Sequence, residues 1–201
     1  MKLPPPSESG GMALERAIKN RRTIRSFARE GLSLTQLSQL LWSGQGITGN
    51  RGFERAAPSG GALFPMDVYV ATGPSAVQGL KAGVYHYEPP AHAVRLVYEG
   101  DQRQALARAS FAQQWMAEAP IDLVISAEYR RITGKYGQRG VRYAVMESGH
   151  IAQNIFLMAE SLGLGAGIVG AFDDETVARV LRLPRGHEPL LIMPVGHKRR
   201  R

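Results

Sequence analysis

Residues 142–162 read RYAVMESGHIAQNIFLMAESL, and Gly163-Leu164-Gly165 follows directly. Val145, Gly149, Ala152, Ile155, Phe156 and Ala159 recur at helical spacing, so the stretch predicts a long amphipathic helix, Arg142–Leu162. Gly163 and Gly165 stop it. The small residues Gly149 and Ala152 would let a second helix approach closely. Upstream, Pro120 leads into Ile121–Ala127, an apolar run of strand length, and downstream Leu190–Val195 forms another. Asp67–Ala71, Gly83–Glu88 and Val94–Tyr98 complete the strand candidates, the last two as hairpin neighbours. Helices are also expected over Met12–Lys19, from a Ser33 cap to Trp42, over Gln102–Ser110, and from an Asp173 or Asp174 cap to Leu181. Ile168–Phe172 reads as a short apolar segment, and Glu128–Gly140 as a polar, basic connector. Strands and helices do not alternate as βαβ units, which predicts an α+β fold with a mostly antiparallel sheet flanked by helices.

The 201 residues are 44% hydrophobic and 21% charged, enough to build a sizeable core. Residues 1–11 are Pro/Ser/Gly-rich and read as a flexible leader to a single domain over 12–201. With no cysteine, the chain has no disulfide, thiolate nucleophile or cysteine-held metal. No apolar run nears the ~18 residues of a membrane span, and residues 1–11 lack a signal-peptide core, so a cytoplasmic location without membrane attachment is the expectation. The net charge of +8 implies an anionic partner. Its basic residues gather at Arg21–Arg29, Arg130–Arg142 and Lys198–Arg201, without the interleaved aromatics of a nucleic-acid surface, so nucleic acid is not the favoured partner.

Several stretches could carry chemistry. Arg21, Arg22, Thr23 and Arg25 place three forked guanidiniums and a hydroxyl within five residues, suited to a phosphate or a polarised carbonyl. The same cluster could equally be the solvated basic end of a helix. Pro58, Ser59, Gly60, Gly61 and Ala62 offer a backbone that can lie against a flat ligand, or an ordinary tight turn. Lys135 with Tyr136 could serve as a proton-removing pair, or as part of an exposed basic loop. The five histidines show no metal-ligand spacing, so no metal site is expected. There is no dinucleotide fingerprint, phosphate loop or serine-nucleophile elbow.

The order of these segments resembles the nitroreductase superfamily: RRTIRSF (21–27), APSGGALFPMDVYV (57–70), KYGQRGVRYAVMESGHIAQNIFLMAESLGLG (135–165), GAFDDETVARVL (170–181) and PVGHK (194–198). The likeness runs from about Leu14 to Lys198 and lies nearest the branch containing the dehydrogenases of azoline-containing peptides. It implies a nitroreductase-like fold in an intertwined homodimer with FMN at the interface. By the same resemblance, Arg21, Arg22, Thr23 and Arg25 meet the flavin phosphate and the N1/C2-carbonyl edge. Pro58, Ser59, Gly60, Gly61 and Ala62 reach the flavin from the partner, and Ile168, Val169, Gly170 and Ala171 pack on the ring. Lys198 and Arg200 stand near the basic tail that holds the phosphate. Many relatives have asparagine where Ala62 stands, and Glu-Gly where Gly170-Ala171 stands, which shifts hydrogen bonding to the ring from side chains to backbone. Lys135 and Tyr136 match the pair that removes a proton in azoline oxidation.

The implied activity is ping-pong hydride transfer between NAD(P)H or an organic substrate and an acceptor such as a nitroaromatic, a quinone or oxygen. The alternatives are azoline-to-azole peptide dehydrogenation and, from another class, a basic nucleic-acid-binding protein.

Overall fold

The computed structural model describes residues 1–49 and 54–199. Its centre is β4 (Ile121–Glu128), which pairs antiparallel with β1 (Met66–Thr72) on one side and β6 (His187–His197) on the other. β2 (Gly83–Glu88) and β3 (Ala93–Glu99) extend the sheet beyond β1, and β5 (Leu164–Ala166) closes the far edge on β6. The order is β3-β2-β1-β4-β6-β5, with every neighbouring pair antiparallel.

The period-2 alternation of the central strands feeds two cores. Met66, Val68, Val70, Ile121, Leu123 and Ile125 pack on one face beneath α2 (Leu34–Gln45) and α5 (Gln138–Ser161). Tyr69, Ala71, Val124 and Ile192 pack on the other, beneath α3 (Arg103–Ala109) and α6 (Asp174–Leu181). Burial on both faces is why Ile121–Ala127 of β4 is apolar on either side of the sheet, interrupted only by the buried Asp122 and Ser126. Ser33 caps α2 in a reciprocal box with Gln36, and the Asp173 side chain caps α6 through Thr176 N.

The long helix is present and buries Ala152, Ile155, Phe156 and Ala159 as expected, but its first turns face differently from the stripe the sequence suggests. Ala144, Ser148, Ile151, Ala152, Ile155 and Ala159 face inward, whereas Val145 is 51% exposed and Gly149 faces solvent. The close helix approach is made by Gly44 of α2, where a Cβ would stand 3.2 Å from Ile151 Cγ2. Gly149 has open space around it.

The 128–140 connector is a second correction. It holds α4 (Arg130–Tyr136), pinned by buried Ile132, and α5 begins at Gln138 after a break at Gly137. β5 was not expected, because its apolar residues follow helix-stopping glycines and its pairing partners lie some thirty residues downstream. Ile168–Phe172 forms no strand; only Val169 bridges to Ile192. α1 (Leu14–Asn20) follows the N-terminal segment, which composition alone marks as a leader. That segment lies against the sheet edge: the Met1 ammonium donates to Val94 O at 2.7 Å, Leu3 is buried, and Ser7 N donates to the buried Gln39. Among the described residues no helix is long and apolar enough to cross a membrane.

Candidate functional site

The residues singled out from sequence fall into two groups at opposite ends of α5. The basic group follows α1. Thr23 bridges Ala166 of β5, and Ile24 N donates to Ala166 O at 2.9 Å, which lays 21–25 along the sheet edge. The Arg21 guanidinium rests over the Phe156 ring at 5.2 Å, and that of Arg25 over Trp115 at 5.8 Å. Among the described residues no carboxylate pairs with either of them. Arg22 folds back instead, donating to Lys19 O and Arg21 O at the end of α1. Lys198 is drawn to Glu160, Nζ to Oε2 at 2.7 Å. Arg200 lies outside the described residues.

The 168–171 strip borders the same group. Ile168 is half-buried and Val169 buried against Ile192, while Gly170 and Ala171 are exposed. Trp115 packs against Gly167, where any Cβ would meet its ring at 2.7 Å. Gln113 Nε2 reaches Ala171 O at 3.4 Å.

The glycine group sits at the other end. Gly60–Ala62 is a single 3-10 turn, and Gly61, Ala62 and Phe64 all have left-handed backbone, at φ 64°, 54° and 47°. Two of these three are not glycine, which marks stored strain. Lys135 and Tyr136 of α4 come up against this turn: a Cβ on Gly61 would lie 2.6 Å from Tyr136 Oη and 3.2 Å from Lys135 Nζ. Tyr136 packs edge-on against Tyr143 of α5, with ring centroids 5.2 Å apart. Gly60 faces Tyr143 and Ile132. Pro58 is exposed, and Ser59 Oγ accepts from Phe64 N at 2.9 Å.

Phe156, under Arg21, and Tyr143, beside Gly60, are thirteen residues apart on α5. At 1.5 Å per residue the two groups stand about 20 Å apart along the helix. The structure therefore unites 58–62 with Lys135 and Tyr136, unites 21–25 with 168–171 and Lys198, and keeps the two sets apart within one chain.

Other polar residues near the site were not picked out from sequence. Glu147 is 1% exposed on α5 directly behind the glycine turn. Burial raises its pKa above the usual glutamate value, partly offset by Ser59, Gln45 and Arg55. A lone acid three residues after Ala144 and four before Ile151 was the available signal. Asp67 meets His86 Nε2 at 3.2 Å and Arg131 Nη2 at 2.9 Å, with His187 at 3.5 Å, joining β1, β2, β6 and α4. Burial pushes Asp67 upward, but the bonds from His86 and Arg131 outweigh it and leave its carboxyl below the usual range. Arg131 lies one helical turn before Lys135, so this cluster also seats α4. His150 is exposed. No set of three or more metal-ligating side chains is grouped to hold an ion among the described residues.

An antiparallel six-stranded sheet thus carries, among the described residues, an arginine edge without carboxylate partners at one end of a long helix and a strained glycine turn at the other. The chain belongs to the nitroreductase family, whose model matches residues 18–197 under the description "Nitroreductase family". It is 43% identical over 185 residues to a nitroreductase-family protein of Methanocaldococcus jannaschii, covering 92% of this chain and 91% of that one. It is 29% identical to the microcin B17-processing protein McbC of Escherichia coli, covering 82% of this chain and 62% of McbC. Among solved structures, a nitroreductase-family protein of Ralstonia eutropha superposes with a TM-score of 0.87 at 30% identity, covering 100% of this chain and 90% of that one. A chain of the E. coli microcin synthetase McbBCD complex with truncated pro-MccB17 bound superposes at 0.76 and 26% identity, covering 96% and 76%. These relatives and the family support an oxidoreductase or dehydrogenase role.

Proposed function

We propose that the chain is an FMN-dependent oxidoreductase that works as a homodimer, transferring hydride by a ping-pong route between NAD(P)H or an organic substrate and an acceptor such as a nitroaromatic or a quinone. The observation that carries this is the division of the site. The unpaired guanidiniums and the glycine turn are about 20 Å apart along α5 in one chain, so a second copy is needed to bring one against the other. A two-fold axis does so twice. Leu14 and Ile18 of α1 and Val145 and Met146 of α5 leave apolar surface uncovered on a single chain, which supports such an interface.

The residues present fit FMN. Arg21 and Arg25 have donors unspent on carboxylates, suited to phosphate and ring carbonyl oxygens. Gly61 offers bare backbone at the point where a side chain would strike Tyr136. When bound, FMN supplies the hydride chemistry. Arg21 holds the phosphate, with Lys198 released from Glu160 to assist. Arg25 places positive charge at the pyrimidine edge, where it opposes no desolvated acid. Ile168–Ala171 and the Pro58–Ala62 turn confine the ring and keep water from it. Lys135 receives the proton that leaves an oxidisable carbon, and Tyr136, fixed edge-on against Tyr143, orients that carbon.

The nearness of Lys135 and Tyr136 to Gly61 favours a second, finer reading: oxidation of azoline rings in peptides, the chemistry the resemblance attaches to this pair. Both readings share the cofactor and differ in the hydride donor.

Titration of purified protein with FMN, followed by flavin fluorescence and sedimentation, tests the proposal. Quenching should saturate at one FMN per chain in a dimer, and rates with NADH, NADPH and a thiazoline peptide then assign the donor. Colourless protein that takes up no FMN yet binds DNA, with affinity falling steeply in salt, would replace the proposal with nucleic-acid binding.

A further inference from the structure

The Ser59–Phe64 turn holds three residues in the left-handed region, two of them with side chains. Each such side-chain-bearing residue costs on the order of 1 kcal/mol and persists only where its surroundings hold it. Several contacts do so. Phe64 N donates to Ser59 Oγ at 2.9 Å, and the Phe64 ring carries the Arg55 guanidinium at 4.4 Å. Arg55 Nη1 donates to Gln45 Oε1 at 2.8 Å, and Gln45 Nε2 donates in turn to Glu147 Oε1 at 3.3 Å. Asn154 Nδ2 holds Ala56 O just upstream.

Glu147 ends this chain of contacts. Gln45 and Glu147 are each 1% exposed, so the carboxyl has no water to fall back on. Gln45 donates to the carboxyl and Ser59 stands close enough to lower its pKa; since Ser59 Oγ takes the Phe64 amide, its hydroxyl proton is free to turn to the acid. Among the described residues Oε2 has no hydrogen-bond partner, which leaves it open to the Ser59 hydroxyl. A buried carboxyl with an unspent oxygen, reaching a strained turn from two directions, has no part in proton removal or hydride transfer as described above.

We infer that Glu147 is a positioning residue: from beneath, through Ser59 and through Gln45 to Arg55 and Phe64, it holds the Ser59–Phe64 turn in its left-handed form and so sets the surface that Gly61 offers to the flavin. The flavin clause rests on the proposed function; the anchoring of the turn does not. Glu147→Gln keeps the volume and one acceptor but loses the second, and Ser59→Ala removes the partner together with the acceptor of the Phe64 amide.

Hydrogen exchange on ligand-free protein reads the anchor directly. In Glu147→Gln the Phe64 amide and its neighbours should exchange about tenfold faster than in the parent, with β1 and β4 unchanged. Ser59→Ala also deletes the acceptor of the Phe64 amide and should exchange faster still, and adding Glu147→Gln to it should change little, because its link to the acid is already gone. FMN titration then reads the consequence: about tenfold weaker binding and a displaced visible band of the bound flavin. Ile151→Val, which only loosens packing on the same helix, should leave that band in place. Exchange at Phe64 equal to the parent in Glu147→Gln overturns the inference. Parent protein that takes up no FMN removes the proposed function, while the exchange result still decides whether Glu147 anchors the turn.

Discussion

Gly61→Ala probes the geometry on which the glycine end of the site depends. The substitution has two separable costs. Gly61 sits at φ 64°, where an alanine loses roughly 1 kcal/mol relative to glycine. The neighbouring Ala62 already tolerates φ 54°, so this cost alone does not unfold the chain. The second cost is steric: the new methyl would stand 2.6 Å from Tyr136 Oη, and the ring must retreat by about 1 Å to reach ordinary contact. That retreat presses on Tyr143 behind it, 5.2 Å away centroid to centroid, and overpacking of this kind costs about 1 kcal/mol or more. The expected total is about 2 kcal/mol, or a Tm lower by roughly 4–8 °C for a chain of this size. In a Tyr136→Phe background Oη is gone and the nearest remaining ring atom, Cε2, is 3.2 Å from the methyl, so the steric part should largely vanish. Urea unfolding of the four proteins, at one fixed protein concentration because dimerisation shifts the midpoint, gives the cycle. Gly61→Ala should cost about 1 kcal/mol less in the Tyr136→Phe background, since only the backbone penalty of roughly 1 kcal/mol remains. An identical loss in both backgrounds would refute the placement of Tyr136 against Gly61. With FMN bound, the 1 Å displacement should also slow proton abstraction by about a hundredfold.

Lys135→Ala should lower thiazoline oxidation by about a hundredfold or more while NADPH-driven flavin reduction stays within a factor of about two, as removal of a general base requires. Stopped-flow traces with each donor check this, and equal losses on both would take Lys135 out of proton transfer. Asp122→Asn should stabilise the protein in a pH-dependent way. Asp122 is fully buried on β4, neither oxygen has a hydrogen-bond partner among the described residues, and burial holds its pKa well above the ordinary carboxylate range, with Arg103 pulling only partly the other way. Because the folded value lies above the unfolded one, the contribution of Asp122 is fully present below about pH 4 and is lost, by up to about 1.4 kcal/mol per pH unit, as pH rises toward the folded pKa. Urea midpoints of parent and variant should coincide at low pH and separate in favour of Asp122→Asn as pH rises; a constant gap would show that Asp122 does not titrate with folding.

The N-terminal arginines, the glycine turn and the Lys135–Tyr136 pair could all be named from the chain because each is a local pattern: forked cations within five residues, consecutive small residues, a base beside a phenol. Their grouping could not. Gly61 and Tyr136 are 75 positions apart, and only the packing of α4 and α5 behind the turn sets one on the other. Glu147 was hidden for a related reason: its spacing on α5 places it on the buried stripe, but which partners await it there is decided by α2 and by the turn.

The same division holds for the fold. Local pattern alone determined that Ser33 caps α2, that Asp173 or Asp174 caps α6 and that 121–127 is a strand, since caps and apolar runs are properties of neighbouring residues. The sequence also carried the family, through the order of its motifs. Tertiary structure decided which side of α5 faces inward, because Val145 and Ala144 both satisfy a helical repeat and only the position of Gly44 on α2 selects between them. It decided that Leu164–Ala166 is a strand, since those three residues gain their hydrogen bonds from His197, Gly196 and Val195, far along the chain. And it decided that the arginine edge and the glycine turn lie at opposite ends of one helix, because α5 is rigid and its length fixes their separation.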